Sequence, residues 1–168
     1  MVDLESPPKA RDFMHTDVQT VTAEMTLDEV VQQLLKHELS NAPVVAGKRS
    51  DASRRLIGFI SERDCLSALA QESFFGSPAP LQTAQTVMRG SPACVTPDTD
   101  LFAVAAIFIN HNYRHLPVTE NGHLLGMVSR RDVLRAVDDY YRKYGKAKFK
   151  ERFHPDTHLL MYHRFISQ

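Results

Sequence analysis

With 168 residues, 43% of them apolar and 24% charged, the chain has the composition of a globular protein and the length to bury a core. Its formal net charge is zero, 20 Lys and Arg against 20 Asp and Glu, which argues against a broad attraction to nucleic acid or anionic lipid. Cys65 and Cys94 form neither a disulfide framework nor a metal-ligand spacing, so a reduced, soluble, cytoplasmic chain is expected.

The start, "MVDLESPPKARD", has neither a basic lead nor an apolar run, so no secretory signal is expected. After this lead (residues 1–10), a short strand is predicted at Thr20 to Thr22 and a helix behind Thr26, a good N-cap. Leu27, Val30, Val31, Leu34 and Leu35 recur at the spacing of an amphipathic helix. "PVVA" follows as a strand opening on a proline, then the polar loop Ala46 to Arg55, the strand "LIGFIS", and a helix begun by "ERDCLSALA". Residues 73–83 read as a linker.

The same order then repeats. With Met14 set under Met88, an offset of 74, residues 21–45 lie over residues 95–119 without a gap. Leu27 meets Leu101, Val30 meets Val104, His37 meets His111, and Pro43-Val44 meets Pro117-Val118. Beyond this the offset is 68, with Gly58 on Gly126, Ser61 on Ser129 and Asp64 on Asp132. The difference, 74 − 68 = 6 residues, falls in the loop Ala46 to Arg55, as a tolerated surface insertion does. Cys94 to Thr96 is the second leading strand and Asp100 the second N-cap. Each repeat therefore reads β-α-β-β-α, in residues 11–72 and 84–138, giving an α/β protein whose two units should pack around a pseudo-two-fold axis. The helix from Leu101, apolar nearly all round, should be covered on a second side, by another chain or by the tail. Its stretch Leu101 to Tyr113 is too short for the roughly 20 residues of a membrane span.

Two nine-residue stretches stand out, "GFISERDCL" (Gly58 to Leu66) and "GMVSRRDVL" (Gly126 to Leu134). Singly, Ser61-x-x-Asp64 and Ser129-x-x-Asp132 are capping boxes, in which Ser satisfies a helix N–H and the acid reaches back. The same turn aims free N–H groups outward and suits a phosphate, with Ser adding a hydroxyl. Asp64 and Asp132, one turn in, suit the two hydroxyls of a ribose, and Arg63, Arg130 and Arg131 suit phosphate charge.

Twice over, a leading x-V-T strand, an amphipathic helix, an apolar residue followed by Pro-Val, and G-h-h-S-x-x-D (h apolar) resemble the paired CBS domains, or Bateman module, named after cystathionine beta-synthase. The resemblance covers about residues 11 to 138. It implies a pseudo-symmetric α/β pair that dimerises and binds an adenosine-containing ligand (AMP, ADP, ATP or S-adenosylmethionine) in the clefts between repeats. It implies regulation of an unidentified partner protein rather than catalysis, with no required cofactor and no metal. Carried over by position, Asp132 is the ribose acid and Ser129 the phosphate-side hydroxyl, with Arg130 or Arg131 near the phosphates. Cys94, Val95 and Thr96 line the adenine pocket, and Arg114 and His115 face phosphate. The first repeat supplies Asp64, Ser61, Arg63, Thr20 and Thr22, but Ser40 and Asn41 stand where Arg114 and His115 do, so the Asp132 site is the better phosphate site.

Residues 139–168 form an unrepeated basic, helical extension. Between Arg142 and Arg152 it holds six Lys or Arg against Glu151, with Tyr144 and Phe149 interleaved. A nucleic-acid-binding protein using this tail is the alternative reading, and a ligand-free scaffold dimer another; a solvated basic helix explains the charge equally. His154 and His158 have i, i+4 spacing, with His163 beyond, but no acid or Cys completes a metal set.

Overall fold

The computed structural model describes residues 6–47, 54–75 and 82–144, with the side chains of 71–75 left aside. In chain order the elements are α1 (Ala10–Phe13), β1 (Val21–Thr22), α2 (Leu27–Lys36), β2 (Asn41–Ala46), β3 (Arg55–Ser61), α3 (Glu62–Phe75), α4 (Ala84–Val87), β4 (Arg89–Gly90), α5 (Leu101–Asn110), β5 (His115–Glu120), β6 (His123–Ser129) and α6 (Arg130–Tyr144). The fold is α/β, with two β-α-β-β-α repeats. The segment between β2 and β3 has eight residues (47–54) and that between β5 and β6 has two (121–122), so the six-residue insertion lies where the sequence offset placed it. The shorter one is Asn121-Gly122, with φ of 51° and 81°, the pair of positive values a tight two-residue hairpin requires. The tail from residue 145, with its basic run and histidines, lies outside the described residues.

One compact unit comprises residues 19–92 with 122–124, and the other, among described residues, 6–18, 93–121 and 125–144. The strap ahead of the first repeat (6–18) thus belongs to the unit of the second, and the strap ahead of the second (82–92) to the unit of the first. The straps are themselves copies. Ala10 of α1 and Ala84 of α4 are 74 residues apart, and both are fully buried.

In the first-repeat unit β1 runs parallel to β2, which is antiparallel to β3, and β4 adds to β3. Its core is Val21, Leu27, Val30, Leu34, Val44, Ile60, Cys65 and Ala68. The second-repeat core has Val95, Leu101, Val104, Phe108, Val118, Val128, Val133 and Ala136 at the matching positions. Cys65 thus takes the place of Val133, a small buried hydrophobe.

Both predicted caps form. Thr26 makes a full capping box with Glu29, and the Asp100 carboxylate accepts from the amides of Phe102 and Ala103. Some strand bounds differ from expectation. β2 and β5 begin two residues ahead of their prolines, and the Cys94 to Thr96 strand reduces to one parallel bridge, Val95 to Val118. Pro117 is tolerated because its carbonyl accepts from the Val95 amide; its nitrogen faces that same edge, upstream of where pairing starts. The apolar helix α5 buries Leu101, Val104 and Phe108, and Phe102 lies edge-on to Tyr140 of α6 at 5.4 Å.

The straps cross their strands at the motif glycines. His15 and Met127 exchange backbone hydrogen bonds of 2.8 and 2.9 Å, and Arg89 pairs with Phe59. A Cβ on Gly126 would meet the His15 carbonyl oxygen at 2.7 Å and the Met14 sulfur at 2.8 Å. A Cβ on Gly58 would meet the Met88 sulfur and, at 2.9 Å, the Arg89 carbonyl oxygen. Gly126→Ala should therefore destabilise the protein by about 1–3 kcal/mol. Gly90→Ala, where no atom lies within 4 Å of the added carbon, should change stability by no more than about 0.5 kcal/mol. Urea unfolding of both variants checks the pair.

Candidate functional site

Strand β6 ends at Ser129 and turns directly into α6. The Ser129 amide donates to Asp132 Oδ2 at 2.8 Å, its hydroxyl to the same oxygen at 2.6 Å, and the Asp132 amide returns to Ser129 Oγ at 3.3 Å. The first repeat copies this, with Ser61 to Asp64 Oδ2 at 3.0 Å from the amide and 2.5 Å from the hydroxyl. The capping boxes read from the sequence are present in both repeats.

What the boxes leave open is the second carboxylate oxygen. In each repeat a side chain from the strap takes it: His15 Nε2 lies 2.7 Å from Asp132 Oδ1, and Arg89 Nε lies 2.9 Å from Asp64 Oδ1. The acids are nearly enclosed, with side-chain exposures of 6% and 11%, while His15 and Arg89 are 64% and 71% exposed. These two residues were missed as site candidates. The signal was available, since the offset of 74 that aligns Met14 with Met88 also aligns His15 with Arg89.

Burial alone would raise both carboxyls. Hydrogen bonds from Ser129 and His15, with the charge of His15, outweigh it at Asp132; those from Ser61 and Arg89, with the Arg89 charge, outweigh it at Asp64. Both acids sit below the ordinary aspartate value. His115, half-buried at the start of β5, is pushed down by burial and by Arg114, against the pull of Asp132. His115 is therefore electrostatically near Asp132, and Arg114 near His115.

The other predicted residues separate into those gathered at this place and those elsewhere. Arg130 is exposed and donates to the Asn112 side chain at 3.1 Å; Arg131 and Arg63 are exposed. Val95 is buried in its bridge, with its amide on the Pro117 carbonyl at 3.0 Å. Thr96 is exposed and turns onto Thr99, its amide donating to the Thr99 hydroxyl at 3.1 Å. Burial pushes the Cys94 thiol up to about 11, partly offset by a hydrogen bond with Thr119, so the thiolate form is disfavoured. Thr20 is buried with its carbonyl bound by Gln33 at 2.8 Å; Thr22, half-buried, lies in β1 beside Val45. Asn41, opposite Ser61 in the ladder, and Ser40 hold the places of His115 and Arg114.

Asp132 also borders an open groove of about 550 Å³ between the strap and α6, whose walls include Phe13, His15, Arg135, Tyr140 and Lys143. Among the described residues no group of three or more His, Cys, Asp or Glu could hold a metal ion, and no helix is long and apolar enough to cross a membrane.

The family model for the CBS domain matches this chain twice, over residues 10–71 and 84–139. An uncharacterised 17.7 kDa protein of Acidianus ambivalens is 31% identical over 140 residues, 82% of this chain and 79% of that protein. The human H(+)/Cl(-) exchange transporter 3 is 30% identical over 132 residues, 66% of this chain but only 16% of the transporter. Among solved structures, the Arabidopsis thaliana CBS-pair protein CBSX2 in complex with AMP superposes with a TM-score of 0.68 at 25% identity, covering 80% of this chain and 99% of that one.

A carboxyl held below its ordinary value stabilises the fold fully only while it is ionised. That contribution persists at neutral pH and is lost as pH falls below about 4 and through the lower folded-state value. Asp132→Asn should therefore flatten the loss of stability between about pH 4.5 and pH 2.5. Urea unfolding across this interval tests it; a variant curve parallel to the wild type would refute the assignment.

Proposed function

The chain belongs to the CBS-domain family, and from this membership we propose that it is a regulatory sensor of an adenosine-containing ligand (AMP, ADP, ATP or S-adenosylmethionine) that signals by changing conformation. The observation that carries the reading is the repeated box, a nearly enclosed aspartate at a strand-to-helix turn in each repeat. The AMP complex of the similar CBSX2 supports the ligand class. Asp132 accepts from the ribose hydroxyls, and Ser129 with the helix N-terminus meets phosphate. Arg114, Arg130 and Arg131 add positive charge there and His115 a ring hydrogen bond, and Cys94, Val95 and Thr96 meet adenine largely through backbone groups. Asp64, Ser61, Arg63, Thr20 and Thr22 make the corresponding first-repeat site. With Ser40 and Asn41 in place of Arg114 and His115, that site has less attraction for phosphate. The chain itself carries no catalysis, needs no cofactor, acts in the cytoplasm, and transmits the ligand state to a regulated protein by differential affinity for two conformations.

We also propose a homodimer. Among the described residues the exposed large hydrophobics are Leu35, Leu66, Ile109 and Leu134, at exposures of 67 to 74%. They are two matched pairs, Leu35 with Ile109 at offset 74 and Leu66 with Leu134 at offset 68, so each repeat keeps the same two apolar positions open. A second copy of the chain, presenting the same residues, is the occupant such a duplicated patch fits.

Thermal melts against AMP, ADP, ATP and S-adenosylmethionine test the ligand reading. At a hundred times its Kd a ligand adds about 2.7 kcal/mol, raising Tm by roughly 5–10 °C. Asp132→Ala should remove most of the shift given by AMP, and no shift with any of the four would refute the reading. For the dimer, sedimentation equilibrium should show two chains per particle for the wild type and one for the double variant Ile109→Asp, Leu134→Asp; an unchanged mass would refute this surface.

A further inference from the structure

Each aspartate of the repeated box is already occupied on its outer oxygen, and the two occupants differ in chemistry. A guanidinium keeps its charge at every pH a protein tolerates, whereas an imidazole gains or loses charge between about pH 5 and pH 8. Both occupants are tethered alike. The backbones of His15 and Arg89 are clamped to the motif strands, through the Met127 bridge and the Phe59 pair, over glycines with no room for a Cβ. Only their exposed side chains are free to leave, and leaving buries nothing.

We propose that His15 and Arg89 are built-in competitors for the ligand-accepting carboxylates, and that the titratable one makes the Asp132 site alone sensitive to pH. The proposal rests on the ligand reading above. A ribose hydroxyl that donates to the outer oxygen of Asp132 must displace the imidazole. Below the imidazole range, displacement breaks an ion pair; above it, only a neutral hydrogen bond. Affinity at Asp132 therefore falls as pH falls, and affinity at Asp64, held by Arg89, does not change for this reason.

Other charges face the same place. Asp12 on the strap and Arg135, Asp139 and Lys143 on α6 line the groove beside Asp132. From β5, His115 interacts electrostatically with Asp132, and Arg114, just ahead of that strand, with His115. His115 is the second imidazole nearby, and burial pushes its titration down.

AMP titrates its own phosphate near pH 6, so the test compares variants at equal pH, where that contribution cancels. Calorimetric Kd values for AMP are measured at pH 5.5 and pH 8.0, at fixed ionic strength, with the full chain carrying Asp64→Asn so that only the Asp132 site is read. Removing the competitor with His15→Ala should tighten binding about fivefold at pH 5.5 and less than about twofold at pH 8.0, the range of an exposed ion pair. His15→Arg should hold affinity at its low-pH level at both values. Conversely, with Asp132→Asn in place, Arg89→His should confer on the Asp64 site a pH dependence that the parent lacks. In the wild type, His15 ring resonances should move on adding AMP, a readout that does not require the Asp64→Asn chain to fold well. Binding of AMP with the same tightening at both pH values, or none, overturns the competitor role and leaves the ligand reading intact. No binding and no movement of His15 in any variant overturns the ligand reading, and the competitor role with it.

Discussion

The crossing of each strap over its motif glycine is the constraint on which the rest depends. Gly126 and Gly58 lie where the strap backbone passes too close for a β-carbon, and the atoms in the way include a backbone oxygen that cannot swing aside as well as a methionine sulfur. Because the strap is pinned there, the side chain of residue 15 or 89 reaches the aspartate three residues into the next helix turn. Because that aspartate also closes its own capping box, strand end, helix start and strap are tied through one carboxylate. A nearly enclosed charge is tolerable only because both of its oxygens are met by hydrogen-bond partners.

Capping and the proposed ligand binding are compatible uses of this carboxylate. Its inner oxygen belongs to the helix, taking the Ser129 or Ser61 amide and hydroxyl; its outer oxygen belongs to the strap. The helix is thus capped whether or not a ligand is bound, and only the outer interaction needs to exchange. This arrangement suits a sensor, in which occupancy should alter a local contact without unfolding the element that presents it.

Much of this was legible in the residues. Helical spacing placed α2 and α5, Thr26 and Asp100 marked their starts, and two offsets differing by six located the insertion between β2 and β3. These are signals carried by a few neighbouring residues or by duplication, so no tertiary information is needed to read them. Less legible were the bounds of β2 and β5, because pairing with a neighbour, rather than the proline, sets where a strand begins. Of the candidate site residues, Ser129, Asp132, Ser61 and Asp64 were found through their local motif. His15 and Arg89 were not, since the partner each one touches lies 117 or 25 residues away.

By itself, then, the sequence determined the two repeats, their β-α-β-β-α order, the capping boxes and the apolar stripes of α2 and α5. Those follow from backbone preferences and hydrophobic periodicity acting over short distances. Only the tertiary structure decided which strap joins which unit, and so which cation meets which aspartate. A short strap carries too few apolar groups to specify its own place; Ala10 and Ala84 find a core only once the strands and helices around them have assembled. The unequal pair, imidazole on Asp132 and guanidinium on Asp64, is a product of that assembly.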